Sequence, residues 1–449
     1  MDSHTFINIF HLPIHGQKAR DEMKKNVSKK IWGLTLGMSL LLTALPVSAA
    51  ESSALTLWLS DYQEEVCAKG IRQFQELYPE VELEITTYPD DNRNEEVKRM
   101  YTQLMAGEGP DLLLVNSFGG EDVYKLIKAQ VFAPLDELME ADESWNREDY
   151  VETVLDAGVF EGRQYVMPLR YQLPTILTTQ GRLDELGKTK EDFDSTLSIL
   201  EEMAALRETH DHVLSSGGFV FVLYLGGQLV DYEAEGIGID RELLEKACTA
   251  YRAIFEEANA FVDVDSFLSG YGLDIAQGNS FFYLPPSIED MIGNAMGAAS
   301  SDVPVLLPLY TEDGLTTAEV NFYGGVRANS ENQEAAWNLL RCLLGEENQI
   351  EMLERQGNLP VSKAALDATF FEKESKLEMW TEGNGTGELP EGFMDEFKEL
   401  VSNPGRGIFI SIICMSDFEE AMTPFYQGTK SFDECFSDFE EFVKIYTSE

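Results

Sequence analysis

The stretch of sequence that decides the fold is residues 55–88, which read LTLWLSDYQEEVCAKGIRQFQELYPEVELEITTY. Residues 55–59 are mostly apolar and predict a β-strand. Apolar residues between 66 and 77 recur at helical spacing, and the Tyr-Pro pair at 78–79 ends that helix. From residue 81 to 86 apolar and polar residues alternate, which is typical of a half-buried strand. The segment therefore predicts the order strand, helix, strand.

The residues that follow continue the alternation of strands and helices. A helix is predicted from Val97 to Met105, and Gly107 ends it. Residues 112–115 read LLLV, a continuous apolar run that is typical of a strand buried on both faces. Strands that alternate with helices predict a parallel sheet covered by helices, with right-handed crossovers. The predicted fold class is therefore α/β.

Later parts of the chain also contain predicted strands and helices. Residues 303–307 predict a short strand, since they are almost entirely apolar. Ser330 and Gln333 have the spacing of a capping box and predict the start of a helix. Ser431 and Glu434 predict a second capped helix near the C-terminus.

The N-terminal region has the three parts of a secretory signal peptide. A lysine cluster at 24–30 precedes an uncharged apolar run at 31–45, and small residues follow at 46–50. The apolar run is about 15 residues long, shorter than the roughly 20 residues that span a bilayer, so a membrane anchor is the weaker alternative. We therefore expect a signal peptide region over residues 1–50, with cleavage after Ala49 or Ala50.

The start of the chain raises a separate hypothesis. Residues 1–22 are mixed in charge and do not help export, whereas Met23 directly precedes two lysines. Met23 is therefore the better start for a signal peptide, and residues 1–22 are interpreted as a start-site artefact.

The charge of the chain excludes several kinds of partner. The formal net charge is −47, which argues against nucleic acid and anionic lipid surfaces, because both need positive patches. Such acidity also favours an attraction for cations as an alternative interpretation. Hydrophobic residues make up 44% of the chain, enough to build packed cores rather than a disordered chain.

Motifs for catalysis, metals and cofactors are missing from the sequence. The five cysteines are far apart and form no C-x-x-C pair, and Cys67, Cys342 and Cys435 fall in helical apolar patterns that favour buried free thiols. His210 and His212 point to different faces at their spacing, so no metal site is predicted. No catalytic residue and no cofactor is predicted, although the many acids leave a glycosidase carboxylate pair open.

Aromatic and polar residues follow two predicted strands where those strands end. Trp58, Asp61 and Tyr62 follow the first strand, and Asn116 follows the buried strand. Ligands of open α/β sheets bind outside the carboxyl ends of the strands. Aromatic rings suit the apolar C–H faces of a sugar, and Asp and Asn oxygens accept from its hydroxyls. These residues are therefore candidate ligand-binding residues.

Several short segments, in this order and spacing, carry a resemblance to a known family. They read FQELYP (74–79), GPDLL (109–113), GRQYVMPL (162–169), VLLPL (305–309) and GG (324–325). With these segments, nearly all of the chain after residue 50 resembles the extracellular solute-binding proteins of ABC importers, family 1, the carbohydrate and maltose-type group.

The resemblance implies a particular architecture. The expected fold is two-lobed and periplasmic-binding-protein-like, of type II, with the ligand cleft between the lobes. By analogy the first lobe comprises residues 51–170 and 304–345, and the second comprises 171–303 and 346–449. Closure of the lobes around the solute is then the signal that a membrane permease reads.

The resemblance also adds residues to the candidate site. The family often places a ligand-facing side chain at the position of Tyr171 and an aromatic segment at Phe282 and Tyr283. Tyr224 and Tyr323 each precede a glycine pair, and backbone N–H groups at Gly324 and Gly325 are expected to reach ligand oxygens. The chain departs from the family pattern before Phe282, where Gly278 to Phe281 replace the usual sequence. The added residues are Tyr171, Tyr224, Phe282, Tyr283, Tyr323 and Gly324.

The expected function is capture of a small solute, a carbohydrate, by a monomer that delivers it to the permease subunits of an ABC importer. No nucleic-acid partner is expected. Residues 47–53 contain no cysteine for a lipid anchor, so the protein is expected to be periplasmic or freely extracellular. The alternatives are a receptor for a polyamine or another cation, an extracytoplasmic hydrolase, and a surface adhesion protein.

Overall fold

A computed structural model of the chain describes residues 54–89, 93–116, 122–216, 221–226, 228–258, 280–285, 287–356, 358–370 and 387–448. Its strands are β1 Leu55–Ser60, β2 Leu83–Tyr88, β3 Leu112–Asn116, β4 Val159–Phe160, β5 Arg163–Gln164, β6 Val166–Gln172, β7 Thr175–Thr179, β8 Leu214–Ser216, β9 Val230–Asp231, β10 Gly236–Ile237, β11 Phe282–Leu284, β12 Pro304–Pro308, β13 Thr317–Val326, β14 Leu359–Pro360 and β15 Arg406–Phe409.

The helices lie between and after these strands. They are α1 Asp61–Leu77, α2 Arg93–Met105, α3 Val123–Lys128, α4 Asp136–Ala141, α5 Glu152–Leu155, α6 Gln180–Leu186, α7 Thr196–Arg207, α8 Arg241–Ala258, α9 Ile288–Ala299, α10 Gln333–Leu344, α11 Glu346–Gln356, α12 Lys363–Phe370, α13 Phe393–Ser402, α14 Ile412–Tyr426 and α15 Phe432–Ser448.

The larger sheet forms the first lobe and confirms the α/β class. Its strand order is β14-β6-β13-β3-β1-β2, and β15 pairs with β13. Strands β1, β2 and β3 run parallel, as the alternation of strands and helices predicts. Strand β13 runs antiparallel to both β3 and β6, so the sheet is mixed. All ten residues of β13 are buried, which makes it the central strand of the molecule.

The smaller sheet belongs to the second lobe and has the order β12-β7-β11-β8. The chain leaves the larger sheet after β6 and returns to it at β13. The position of β12 differs from the expected division, which grouped residues 304–345 with the first lobe. All five residues of β12 pair with β7 of the smaller sheet.

The predicted order over residues 55–115 is confirmed, and local hydrogen bonds explain why α1 starts where it does. The Ser60 side chain accepts from the Gln63 N–H, and the Gln63 side chain accepts from the Ser60 N–H, which forms a capping box. The Gln63 Nε2 also donates to the Leu114 carbonyl at 2.8 Å. The cap therefore fixes the first helix to the buried strand β3.

The two predicted capping boxes have different outcomes. Ser431 and Glu434 form one at the start of α15, as predicted. The prediction for Ser330 is wrong, because α10 begins at Gln333 and its cap residue makes no side-chain cap bond. The Ser330 hydroxyl instead donates to the buried Asp111 carboxylate at 2.7 Å, a charged acceptor that forms the stronger hydrogen bond.

The predicted signal peptide region, residues 1–50, lies outside the described residues. Within the described ranges, no helix is both long enough and apolar enough to cross a membrane.

All five cysteines are free and buried, as predicted for Cys67, Cys342 and Cys435. Burial raises the pKa of the Cys67 thiol to about 12, although Arg170 opposes part of that shift. Burial also raises the pKa of Cys248 and of Cys414 to about 12. Since the thiolate is the reactive form, these thiols are expected to be inert in the folded protein.

Thiol titration tests this expectation. At mildly alkaline pH the native protein should react with an aromatic disulfide reagent only on the timescale of unfolding, because the thiols are enclosed and protonated. After unfolding in guanidinium, all five cysteines should react at once. Rapid reaction of two or more thiols in the native protein would contradict the burial described above.

A second prediction concerns the close packing around β13. A Cβ added at Gly325 would lie 2.5 Å from two ring carbons of the buried Phe132 and 3.0 Å from the Val166 Cγ1. Gly325→Ala should therefore lower the free energy of unfolding by about 1–3 kcal/mol. Gly236→Ala is the matched control, since its nearest atom would be 3.9 Å away. Equal stability of the two variants in denaturant titration would refute the packing argument.

Candidate functional site

The carboxyl ends of three strands meet at one edge of the larger sheet. Strands β1 and β3 are parallel, and β13 runs antiparallel to both β3 and β6. The last residues of β1, β3 and β6 therefore lie at the same edge as the first half of β13. Open α/β sheets bind ligands at this edge.

A buried arginine organises the polar groups at this edge. The Arg170 side chain, at the end of β6, is 2% exposed. Its Nε donates to the Asn321 Oδ1 at 3.1 Å, and its Nη1 donates to the Tyr62 hydroxyl at 3.0 Å. Its guanidinium also lies 5.1 Å from the centre of the Phe322 ring and 5.7 Å from that of Tyr62. Among the described residues, none accepts a hydrogen bond from Nη2.

Two amide side chains extend this network along the sheet. The Asn321 Nδ2 donates to the Asn358 Oδ1 at 2.8 Å, and the Gln172 Nε2 donates to the same oxygen at 2.8 Å. Asn358 directly precedes β14, which pairs with β6. We call Tyr62, Arg170, Gln172, Asn321 and Asn358 the strand-end network.

A buried carboxyl group lies two residues before Asn321 on the same strand. Glu319 is 6% exposed, and its Oε1 accepts a hydrogen bond from the Tyr224 hydroxyl. Burial raises the pKa of Glu319 to about 7, and the hydrogen bond from Tyr224 offsets only part of that effect. A group with this pKa exchanges its proton close to neutral pH.

A second carboxylate has a similar tyrosine partner. The Asp122 side chain accepts from the Tyr124 N–H at 3.0 Å, which caps α3, and from the Tyr232 hydroxyl. The Gln228 Nε2 donates to the Tyr124 hydroxyl, and the rings of Tyr124 and Tyr232 lie 5.1 Å apart. A small cavity of about 30 Å³ remains between these side chains and Phe409.

Four of the sequence-predicted residues lie at the carboxyl ends of β1 and β3 or beside them. Trp58 is half-buried, with the Arg99 guanidinium 5.2 Å from its ring centre. Asp61 is exposed in the first turn of α1, and Tyr62 is half-buried beside it. Asn116 ends β3 opposite Phe322. The structure thus brings Tyr62 into direct contact with Arg170.

Two predicted tyrosines lie near the buried carboxylates. Tyr224 contacts Glu319 directly. Tyr323 packs edge-on against Phe409 at 4.8 Å, and Phe409 in turn packs against Tyr124. Tyr323 therefore belongs to an aromatic group with Phe409 and Tyr124 that also borders Asp122.

The other predicted residues, like Tyr224 and Tyr323, are enclosed in the protein interior. The Tyr171 hydroxyl donates to the Val401 carbonyl, and Phe282 packs edge-on against Phe193. Tyr283 lies beside Phe282 in the smaller sheet and is also buried. Gly324 is paired on both sides within the larger sheet, and a Cβ there would meet Leu340 of α10 at 2.6 Å. Its small size permits the close approach of α10.

The residues that sequence reasoning missed as site residues are Arg170, Gln172, Glu319, Asn321 and Asn358. A signal for two of them exists in the sequence. Residues 317–322 read TAEVNF, so a charged group and an amide alternate with apolar residues in a strand that is otherwise apolar. Polar groups in such a strand need buried partners, which marks them as candidates.

Among the residues that the structure describes, no group of three or more His, Cys, Asp or Glu side chains is arranged to hold a metal ion.

Comparisons with known proteins identify the family. A family model described as bacterial extracellular solute-binding protein matches residues 69–379. The chain therefore belongs to the bacterial extracellular solute-binding proteins. Members of this family are binding proteins rather than enzymes, and they act outside the cytoplasm. No curated protein matches the chain.

Solved structures share the two-lobed fold. The sugar-binding protein MalE from Xanthomonas citri has a TM-score of 0.61 at 15% identity, covering 88% of this chain and 98% of its own. The cyclic alpha-maltosyl-1,6-maltose binding protein from Arthrobacter globiformis has a TM-score of 0.56 at 13% identity, with coverages of 88% and 99%. Maltose-bound MalE3 of T. maritima has a TM-score of 0.53 at 16% identity, with coverages of 88% and 100%.

The raised pKa of Glu319 predicts a pH dependence of stability. The folded-state pKa of about 7 lies above the ordinary value of 4.5, so the folded state holds this proton more tightly than the unfolded state. The resulting stabilisation is full below about pH 4.5 and is lost as the pH rises to about 7. Relative to Glu319→Gln, the wild-type protein should lose about 3 kcal/mol of unfolding free energy across that window.

Denaturant titrations at several pH values measure this difference. Glu319→Gln is the appropriate variant because its amide oxygen still accepts from Tyr224. Glu137→Gln, at an exposed position of α4, is the control and should follow the wild-type profile. Parallel pH profiles of wild type and Glu319→Gln would show that Glu319 does not titrate in this range.

Proposed function

We propose that this protein captures a carbohydrate outside the cytoplasm and delivers it to the permease of an ABC importer. The observation that carries the proposal is the buried Arg170, which is held by Asn321 and Tyr62 at the ligand-binding edge of the sheet. A fixed guanidinium is a rigid set of donors for ligand oxygens. Its Nη2 has no acceptor among the described residues.

The side chains around Arg170 suit a sugar. Tyr62 and Trp58 are half-buried aromatic residues whose rings fit apolar C–H faces. Asp61 and Asn116 add acceptor oxygens at the ends of the neighbouring strands. We assign Trp58, Asp61, Tyr62, Asn116 and Tyr323 to the ligand-binding surface, together with Arg170. Tyr224 borders this surface, with its hydroxyl bonded to Glu319. Tyr171, Phe282, Tyr283 and Gly324 are buried within the two sheets and are left out of this assignment.

The structural relatives support a carbohydrate as the solute class. The names of three of them specify a sugar, a cyclic maltosyl-maltose and maltose. Another is described as an ABC transporter solute binding protein bound with α-D-tagatose, at 17% identity. In this scheme the two lobes close on the sugar, and the closed form is the one that the permease recognises.

The cellular location follows from the same proposal. The signal peptide region ends at residue 50, and the mature protein is a monomer that is periplasmic or freely extracellular. No catalytic step is part of the scheme, since capture and release leave the solute unchanged.

A cationic solute such as a polyamine is the second candidate. The observation that favours it is the pair of buried carboxyl groups, Glu319 and Asp122, each beside tyrosine rings. Carboxylates and aromatic faces together bind ammonium groups. Against it stands the buried cation of Arg170 on the same sheet.

A thermal-shift screen of the purified protein against sugars, polyamines and amino acids tests both candidates. A solute at 100 times its Kd should stabilise the protein by about 2.7 kcal/mol. A stabilising sugar that mass spectrometry finds unaltered supports the proposal, and a stabilising polyamine supports the second candidate. A consumed solute would favour a hydrolase, and the lack of any shift would favour an adhesion protein.

The role of Arg170 has its own prediction. Arg170→Gln should weaken binding of the stabilising solute by about ten- to a hundredfold, because a hydrogen bond to a charged group contributes about 1.5–3 kcal/mol. Calorimetric titration measures the change in Kd. Arg72→Gln, at an exposed position of α1, is the matched control and should bind like the wild type. Unchanged affinity in a folded Arg170→Gln variant would place the site elsewhere.

A further inference from the structure

Two tyrosine hydroxyls of the second lobe donate to two buried carboxyl groups of the first lobe. Tyr224 donates to Glu319, and Tyr232 donates to Asp122. All four side chains are at least nine-tenths buried. We call these two contacts the tyrosine clasp.

The tyrosines are held by the second lobe. Phe221, in the same short 3-10 turn as Tyr224, packs on Tyr251 of α8 with ring centres 4.5 Å apart. Tyr232 follows β9, whose partner strand β10 packs against α15. Helices α8 and α15 both pack on α14, so these elements form one body.

The carboxyl groups are held by the first lobe. Glu319 lies on the central strand β13, where Gln172 of β6 and Ile408 of β15 are its neighbours. Asp122 is fixed as the cap of α3. The clasp therefore joins two separately anchored bodies, and opening of the lobes has to break both contacts.

The clasp leaves little space between the lobes at this point. Further contacts join the same elements. Gln228 donates to the Tyr124 hydroxyl, the Tyr124 and Tyr232 rings lie in contact, and Lys128 of α3 donates to the Tyr232 carbonyl at 3.3 Å and pairs with Glu235 at 3.2 Å. The cavity that remains, about 30 Å³, has room for about one water molecule. A sugar or a polyamine does not fit there unless these tyrosines move.

A tyrosine hydroxyl donates a hydrogen bond to a carboxylate, as a sugar hydroxyl does, and an ammonium group donates a stronger, charge-assisted one. We propose that Glu319 and Asp122 are acceptors of the solute site, and that Tyr224 and Tyr232 occupy them until a solute displaces the hydroxyls. This inference rests on the proposed function, because it assigns residues to the same site. It implies that the solute competes with the clasp, so each tyrosine contact lowers the apparent affinity.

Removal of the hydroxyls tests the inference. In Tyr224→Phe, Tyr232→Phe and the double variant the rings remain while the clasp contacts are lost. Without solute, small-angle X-ray scattering should give a larger radius of gyration for the double variant than for the wild type. Tyr150→Phe is the matched control, since its hydroxyl bonds Arg341 within the first lobe.

Binding is then measured by calorimetry with maltose and spermidine as separate probes. For a probe that binds the wild type, each Tyr→Phe variant should lower Kd by about three- to tenfold, the equivalent of one lost competing hydrogen bond. At pH 8, where Glu319 is mostly ionised, Glu319→Gln and Asp122→Asn should raise Kd by about tenfold, since each replaces a charged acceptor by a neutral one. Tyr150→Phe should leave Kd unchanged.

The outcomes separate this inference from the proposed function. A larger radius together with tighter binding supports the clasp. Weaker binding in the Tyr→Phe variants overturns it, because the hydroxyls would then be solute contacts. An unchanged radius in the double variant also overturns it, whichever probe binds. If neither probe binds the wild type, the proposed solute classes are in question, and the scattering result alone decides for or against the clasp.

Discussion

The structure depends on one constraint, which is the complete burial of the central strand β13. Its backbone is satisfied by β3, β6 and β15, but two of its side chains, Glu319 and Asn321, are polar and need partners from elsewhere. Asn321 finds Arg170 and Asn358, and Glu319 finds Tyr224. Leaving such a group unpaired would cost about 1–3 kcal/mol of stability. The fold therefore has to place the segments that carry Arg170, Asn358 and Tyr224 against β13. The site is thus positioned by the core rather than added to it.

The parts of the fold that the sequence predicts correctly are those decided by neighbouring residues. Periodicity located the strands and helices from residue 55 to 115 because a helix face or strand face is a local property. The partner of a short strand is not local, so the sequence predicts a strand at residues 303–307 but not its pairing with β7. The cap at Ser330 failed for the same kind of reason, since a distant carboxylate, Asp111, competes for its hydroxyl.

The same distinction separates the predicted and the missed site residues. Tyr62 and Asn116 were predicted because the topology alone brings strand ends to one edge. The direction of a strand side chain depends on pleat and register, so Tyr171 was predicted to face the ligand although its hydroxyl bonds the Val401 carbonyl in the interior. Its neighbour Arg170 points into the strand-end network instead. A shift of one residue along β6 exchanges the two roles, and no local pattern records that shift.

The chain is very acidic, and two of its carboxyl groups are buried and hydrogen-bonded to tyrosines. Most of its acids are solvated, whereas Glu319 and Asp122 are enclosed and each receives a tyrosine hydroxyl. Desolvating a carboxylate is costly, so a binding protein that leaves an acceptor bare between its lobes would favour the open form strongly. An internal hydroxyl lowers that cost and keeps the acceptor oriented. The solute has to replace this hydroxyl, so its own donors must form hydrogen bonds to the carboxyl group that are at least as favourable. A solute without hydroxyl or ammonium groups cannot replace the tyrosine hydroxyls. The selectivity therefore comes from side chains of the protein that compete with the solute.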